Sequence, residues 1–239
     1  MNETLQVIPP IKLALAFVPV LLVIGIMWHW SLQAGNAVYA LIRMLIQLLL
    51  VGYILMTIFA AEQAWIVVTV MLVMVLAASW IALGTVKPNR TRLFKHAFVS
   101  ILAGGGLTLL LVTQLVISLE PWFDPRYMIP LAGMIFANSM NSVSLAAERL
   151  ATELSRQLSF RQARNDAFQA AFIPTINSML AVGLVSLPGM MTGQILSGVS
   201  PIVAAHYQIV VMCMIFASAG LSTALFLQIS KKLFIQQAA

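Results

Sequence analysis

The chain has 239 residues, 61% of them hydrophobic and only 8% charged, where a soluble domain carries about 25% charged residues. That balance excludes a soluble enzyme and points to a single transmembrane domain over residues 1–239. The net charge of +6 calls for no nucleic acid, because membrane topology explains where the cations fall, and the single cysteine, Cys213, excludes an internal disulfide.

The first ten residues, MNETLQVIPP, place no basic region before an apolar run, so no cleaved signal peptide is expected. A helical span needs about 20 largely apolar residues. Seven stretches qualify in order: 11–30, which contains Pro19, then 37–60, 65–84, 97–119, 128–147, 173–199 and 204–230. The expected fold is an all-α, polytopic membrane helix bundle of about seven transmembrane helices. Lys87, Arg90, Arg92 and Lys95 fall between the third and fourth spans. Arg149, Arg156, Arg161 and Arg164 fall between the fifth and sixth, and Lys231 and Lys232 in the tail. By the positive-inside rule these segments are cytoplasmic, which puts the N-terminus outside and the C-terminus in the cytoplasm. Trp65 and Trp122 then mark the outer interface, and Trp28, Trp30 and Trp80 the inner one.

Arg43 lies in the second span, one to two turns from its cytoplasmic edge. It snorkels to the headgroups or pairs at the cytoplasmic mouth. Gly104, Gly105 and Gly106 in the fourth span permit close helix packing. They form no phosphate loop, since GxxxxGK[ST] is absent from the chain.

The fifth span is unusually polar. Asn138, Asn141 and Ser142 stand three and four apart and share a helical face, with Ser139 and Ser144 nearby. The segment 148–172 reads as a cytoplasmic helix–turn–helix. Leu150, Leu154 and Leu158 repeat at four-residue intervals on one apolar stripe, and Arg149, Glu153 and Arg156 lie on other faces. Ser159 with Gln162 fits a capping box that opens the second helix. Phe160, Ala163, Ala167, Phe168 and Ala171 make that helix amphipathic, with Arg161, Arg164 and Asp166 on its wetter side. Such a hairpin works as a lever; the alternative is a solvated loop whose basic face meets lipid headgroups.

The lever runs into residues 172–194, an apolar segment with features that a plain anchor avoids. Pro174 and Pro188 each lack a donor, and Gly183, Gly189 and Gly193 loosen the helix. Asn177 and Ser178 add a polar patch near its cytoplasmic start. A broken helix survives in hydrocarbon only where protein or a water-filled cavity satisfies the freed backbone. Pro188 cannot donate to the Leu184 carbonyl, unwound carbonyls hold cations in broken helices, and Gly189 lets another backbone or a cargo approach. A path between the fifth and sixth spans is expected, with LPGMM at its narrow part. Interhelical hydrogen bonding explains the asparagines equally well.

All seven acidic residues lie outside the spans or at their ends, whereas ion-coupled transporters place ionisable groups inside the membrane. If the chain pumps, another subunit supplies the energy. A secondary transporter or channel is the competing class. Met190, Met191, Met212 and Met214 cluster in the last two spans, with His206 and Cys213 seven apart. Soft donors suit copper(I), yet methionine is common packing material, so no metal ligand is assigned. No catalytic residue is assigned either. HExxH, GxSxG and paired carboxylates are absent, and Ser186 has no base beside it.

Three blocks then carry a resemblance: RMLIQLLLVGYIL at 43–55, MIPLAGMIFANSMNSVSLA at 128–146, and AAFIPTINSMLAVGLVSLPGMMTGQILSGVSPIVAAHYQIVV at 170–211. Over about residues 35–230 the chain resembles the Fet-type (FetB) iron-export ABC permeases of bacteria, which are related to plant aluminium-tolerance permeases. The resemblance implies a permease in the bacterial cytoplasmic (inner) membrane that exports iron or another metal or small solute. It implies an ABC ATP-binding partner that carries the ATP and Mg, two copies of each chain, and no cofactor on this one. Plant relatives point to a nucleotide sugar as the alternative cargo. The resemblance also makes the hairpin, with Gln157, Ser159, Phe160, Arg161 and Arg164, an ATPase-coupling loop. Relatives often place glycine where this chain has Gln157, and some carry a carboxylate and a lysine where it has Asn177 and Leu180. A charged site inside the membrane is therefore not expected here.

Overall fold

A computed structural model describes residues 8–59, 63–86 and 89–238. Glu3, Glu62 and Lys87, counted above, lie outside the described residues. Among the described residues the secondary structure is helical and no strand forms. Contacts divide the chain into two units, Met1–Ala60 and Ala61–Ala239.

The first unit holds α1 (Pro10–Leu15), α2 (Val18–His29) and α3 (Ala34–Phe59). The first expected span is two helical pieces. Pro19 supplies no donor to the turn before it, so the chain breaks at Ala16–Phe17 and Pro19 opens the second piece. No residue of α1 or α2 is buried. Arg43 stands exposed on α3.

The second unit holds α4 (Ala64–Ala82), a 3₁₀ turn (Leu83–Thr85), α5 (Arg90–Leu110) running into π-helical turns (Leu111–Val116), and α6 (Pro125–Ser155). It continues through α7 (Phe160–Ala181), α8 (Gly189–Leu196), α9 (Pro201–Ile229) and α10 (Lys231–Ala238). α6 and α9 form the centre: α9 packs on α5, α6 and α7, and α6 packs on α4, α5 and α7. Their shared core includes Ile101, Ile135, Leu150, Met214 and Phe226, all under 2% exposed.

Small residues set these contacts. A Cβ on Gly104 would stand 2.5 Å from the backbone nitrogen of Ser222, and one on Gly105 would stand 2.8 Å from Ile135 Cγ2. Glycine is what lets α5 approach α9 and α6 so closely. At the same crossing the buried Ser222 hydroxyl donates to Ser139 Oγ at 3.2 Å, so Ser139 serves packing.

Five helical stretches are long and apolar enough to cross a membrane: Pro10–His29, Ala34–Leu55, Ala64–Thr85, Arg90–Val116 and Pro201–Ile229. The two further spans read from the sequence correspond to α6 and to the α7–α8 pair. α6 has the length, but its asparagines and serines lower its hydropathy. The fourth expected span, 97–119, begins earlier than its apolar run, since α5 starts at Arg90. The Arg90 guanidinium donates to the Trp80 carbonyl at 2.6 and 3.0 Å and lies 3.8 Å over the Trp80 ring. These bonds and a cation–π contact fasten the α4–α5 connection.

Candidate transport path and coupling hairpin

α6 is one uninterrupted helix of 31 residues, about 46 Å long at 1.5 Å per residue. The hydrocarbon core is about 30 Å thick, so a single helix of this length is long enough to carry the polar stretch and to reach beyond a bilayer. It ends in a Schellman turn. Gln157 N–H donates to the Leu154 carbonyl at 3.0 Å, and Leu158 N–H donates to the Glu153 carbonyl at 3.3 Å. That motif needs a left-handed residue just past the helix, and Gln157 has φ +63°. The position where relatives are expected to carry glycine is thus the one whose backbone favours it. Ser159 caps α7 as the S-x-x-Q pattern predicts, accepting from Gln162 N–H at 3.4 Å.

Leu150 and Leu154 are buried, whereas Leu158 leaves the stripe at the turn and is 36% exposed. Glu153, on a face other than the leucine stripe, is buried at 3% exposure. Its carboxylate lies 2.6 Å from Arg149 and 3.5 Å from Arg156. A buried carboxylate needs such partners, so the two arginines and Glu153 brace the last turn of α6. Spacing of i−4 and i+3 was visible in the sequence, but burial was not. α10 was also missed. This short tail helix packs on α6 and α9, with Phe234 at 3% exposure. Lys231 Nζ sits 5.1 Å over the Phe160 ring at the start of α7, so the tail braces the hairpin. Ala163, Ala167 and Ala171 of α7 are buried, as the amphipathic reading requires, while Arg161 is exposed and Arg164 half-buried.

Asn138 lies on α6 and Asn177 on α7. They differ in environment. Asn138 is half-buried and its amide donates to the Met134 carbonyl at 2.8 Å, within its own helix. Ser142 is buried, whereas Asn141, Asn177 and Ser178 are exposed on the surface of the single chain.

The break in the α7–α8 segment lies earlier than the proline alone suggests. α7 tolerates Pro174 inside it and ends at Ala181. Gly183 adopts φ +83°, and the Ala181 carbonyl accepts from Leu184, Val185 and Ser186 N–H at 2.8 to 3.2 Å. Leu184 is therefore out of the helix before Pro188 is reached. Pro188 instead caps α8, its carbonyl accepting from Thr192 N–H at 2.9 Å and Thr192 Oγ1 at 3.1 Å, and Gly189 is the first residue of that helix. Residues 182–188 form the non-helical link, with Leu184 90% and Val185 85% exposed.

Among the described residues no group of three or more His, Cys, Asp or Glu is arranged to hold a metal. His206 lines a groove of about 200 Å³ with Val116 and Tyr207. Cys213 lines an adjoining, apolar groove of about 360 Å³ with Leu107 and Leu221, and Val116 and Val210 border both. Met212 and Met214 are buried core side chains, the packing role expected of methionine.

The family model described as "Uncharacterised protein family (UPF0014)" matches residues 10–235. The chain is 36% identical to a UPF0014 membrane protein of Synechocystis over 214 residues, covering 82% of each chain. It is 37% identical to the "Probable iron export permease protein FetB" of Escherichia coli over 196 residues, 76% of this chain and 74% of the relative. Against "Protein ALUMINUM SENSITIVE 3" of Arabidopsis thaliana the identity is 34% over 229 residues, 89% of this chain and 82% of the relative. No solved structure matches the chain.

Proposed function

This chain belongs to the UPF0014 family of membrane proteins, and from that premise we propose that it is the permease subunit of an ABC transporter that exports iron or another small solute. ATP and Mg are bound and hydrolysed on a separate subunit, and two permease chains work with two ATPase chains. The N-terminus faces outward and the C-terminus the cytoplasm, as the distribution of Lys and Arg requires.

The observation that carries this reading is the α6–α7 hairpin. It is one continuous helix, a capped turn with Gln157 in the left-handed region, and a second helix that runs to the break at 182–188. Gln157, Ser159 and Arg161 are exposed at or beside its tip. A push on the tip is carried by rigid helices to Asn177, Ser178 and the link before Pro188. The relative from Escherichia coli is named an iron export permease, which makes iron the first cargo to test.

Asn141, Asn177 and Ser178 are exposed at a level where lipid would otherwise meet them. Polar side chains in membrane helices turn toward the protein interior or a water-filled cavity. A second copy packed on this face encloses them, which places the path between the two chains. The neutral amide and hydroxyl oxygens are weak oxygen donors without a charged or imidazole ligand, so they hold a metal cargo only transiently.

The test is reconstitution. The permease is co-expressed with an ABC ATPase of the same organism and incorporated into vesicles, and uptake of iron from the medium is followed on adding ATP, because added ATP drives only complexes whose ATPase faces outward and an exporter moves cargo away from that face. Uptake that requires both chains and ATP supports the reading. Iron equilibration across vesicles holding this chain alone would make it a secondary transporter or channel instead. Uptake of a nucleotide sugar but not of iron would replace the cargo.

A further inference from the structure

A groove of about 600 Å³ lies between α7 and α9, at the end of the membrane region where the cations concentrate. Deeper in the fold the same two helices meet closely. A Cβ on Gly220 would stand 2.9 Å from Phe172 Cζ, so glycine lets the Phe172 ring seat against α9. Phe172 also stacks on Phe168 at 4.8 Å and meets Phe216 edge-on at 5.3 Å. Toward the hairpin no such wedge fills the space, and the groove opens there.

Its lining is of two kinds. Phe168, Leu221 and Leu225 supply an apolar wall, Arg164, Asn165 and Gln228 lie toward the hairpin end, and Gln169 follows Phe168 on α7. Arg164 is half-buried. Its Nε and Nη2 are held by Asn165 Oδ1 at 3.3 and 3.0 Å, which orients the guanidinium without neutralising it. The ion pairs among the described residues, Arg149–Glu153 and Arg156–Glu153, do not include it. Asp166, the nearest carboxylate in sequence, is not part of the lining. Lys231 and Lys232 follow Gln228 within one turn and add positive charge at the same end.

We propose that this groove binds one anionic phospholipid, its phosphate on Arg164 and its acyl chain along Phe168 and Leu225. An unpaired guanidinium and two amides beside an apolar wall match a charged head joined to a hydrocarbon tail, and basic pockets between membrane helices on the cytoplasmic side bind anionic headgroups. Arg164 thereby acts through lipid and not through an ATPase surface. The proposal needs only that the chain is embedded in a membrane, so it stands apart from the transport reading.

The test uses the purified, delipidated chain in mild detergent, without any ATPase. It is titrated with phosphatidylglycerol, with phosphatidylcholine and with inorganic phosphate, and bound lipid per chain is counted by native mass spectrometry. One phosphatidylglycerol per chain is expected, with phosphatidylcholine weaker. Arg164→Gln weakens phosphatidylglycerol binding about fivefold, while Arg161→Gln, exposed and outside the groove, leaves it unchanged. Leu225→Trp fills the groove with Arg164 in place and also removes the lipid, which keeps the test decisive if Arg164→Gln fails to fold. Equal binding of the two lipids, or full binding by folded Arg164→Gln, overturns the proposal. Displacement of the lipid by inorganic phosphate overturns it too, since the site would then be one for free anions.

Discussion

Gln157 offers the sharpest test of the hairpin, because its backbone and its side chain make opposite demands. At φ +63° it occupies the left-handed region, which costs an L-residue about 1–2 kcal/mol. Glycine avoids that cost but loses about 0.5–1 kcal/mol through the greater freedom of its open state. Gln157→Gly should therefore stabilise the turn by about 0.5–1 kcal/mol. Gln157→Val, β-branched and worse suited to this region, should destabilise it by about 1 kcal/mol. The affected bonds are local: Gln157 N–H to the Leu154 carbonyl and Leu158 N–H to the Glu153 carbonyl, at 3.0 and 3.3 Å. Hydrogen exchange on peptides covering residues 151–163 reads these amides directly and does not depend on two-state unfolding of a membrane protein. Protection should rise about two- to fivefold in Gln157→Gly and fall by a similar factor in Gln157→Val. If Gln157→Gly exchanges as fast as the parent or faster, the turn is not a left-handed cap and the lever loses its fixed tip.

Three further outcomes follow from the same geometry. Gly104→Val pushes a side chain into the Ser222 backbone and should destabilise the detergent-solubilised protein by about 1–3 kcal/mol. Gly106→Ala, whose nearest new contact is Leu102 Cδ1 at 3.9 Å, should be neutral or raise stability by up to about 1 kcal/mol; equal thermal shifts for the two would refute the crossing. Glu153→Gln unpairs Arg149 and Arg156, which are 43% and 63% exposed. Solvent screening then holds the loss to about 1 kcal/mol, yet coupling should drop, read as ATP hydrolysis by the assembled complex at unchanged expression. An unchanged rate would leave Glu153 a packing residue. Asn177→Ala alters an exposed side chain and should shift stability by less than about 0.5 kcal/mol while reducing transport in vesicles; undiminished transport would remove Asn177 from the path.

Composition and periodicity were enough to identify an all-helical membrane protein. Span lengths, the positions of Lys and Arg, and the S-x-x-Q cap are local signals that one stretch of chain carries alone. The hairpin was legible for the same reason: Leu150, Leu154 and the alanines of α7 repeat at helical spacing, and Ser159 caps its own helix. Burial of a polar side chain is different, since it depends on what another helix places opposite. Sequence spacing put Asn138, Asn141 and Ser142 on one face, but neighbouring helices bury Ser142, half-bury Asn138 and leave Asn141 exposed. Glu153 lies off the leucine stripe in the periodicity, yet it is buried and paired with two arginines. Two prolines and three glycines mark the broken segment in the sequence, and the structure singles out Gly183, in the left-handed region, as the place where the chain first leaves the helix. The glycine run at 104–106 predicted close packing. Only the tertiary structure decided that Gly104 admits Ser222, that Gly105 admits Ile135, that Gly220 admits Phe172, and that a groove lies open beside Arg164. Local propensity is written along the chain, but the distance between two helices is set by the pair of surfaces that meet, and neither surface contains that information by itself.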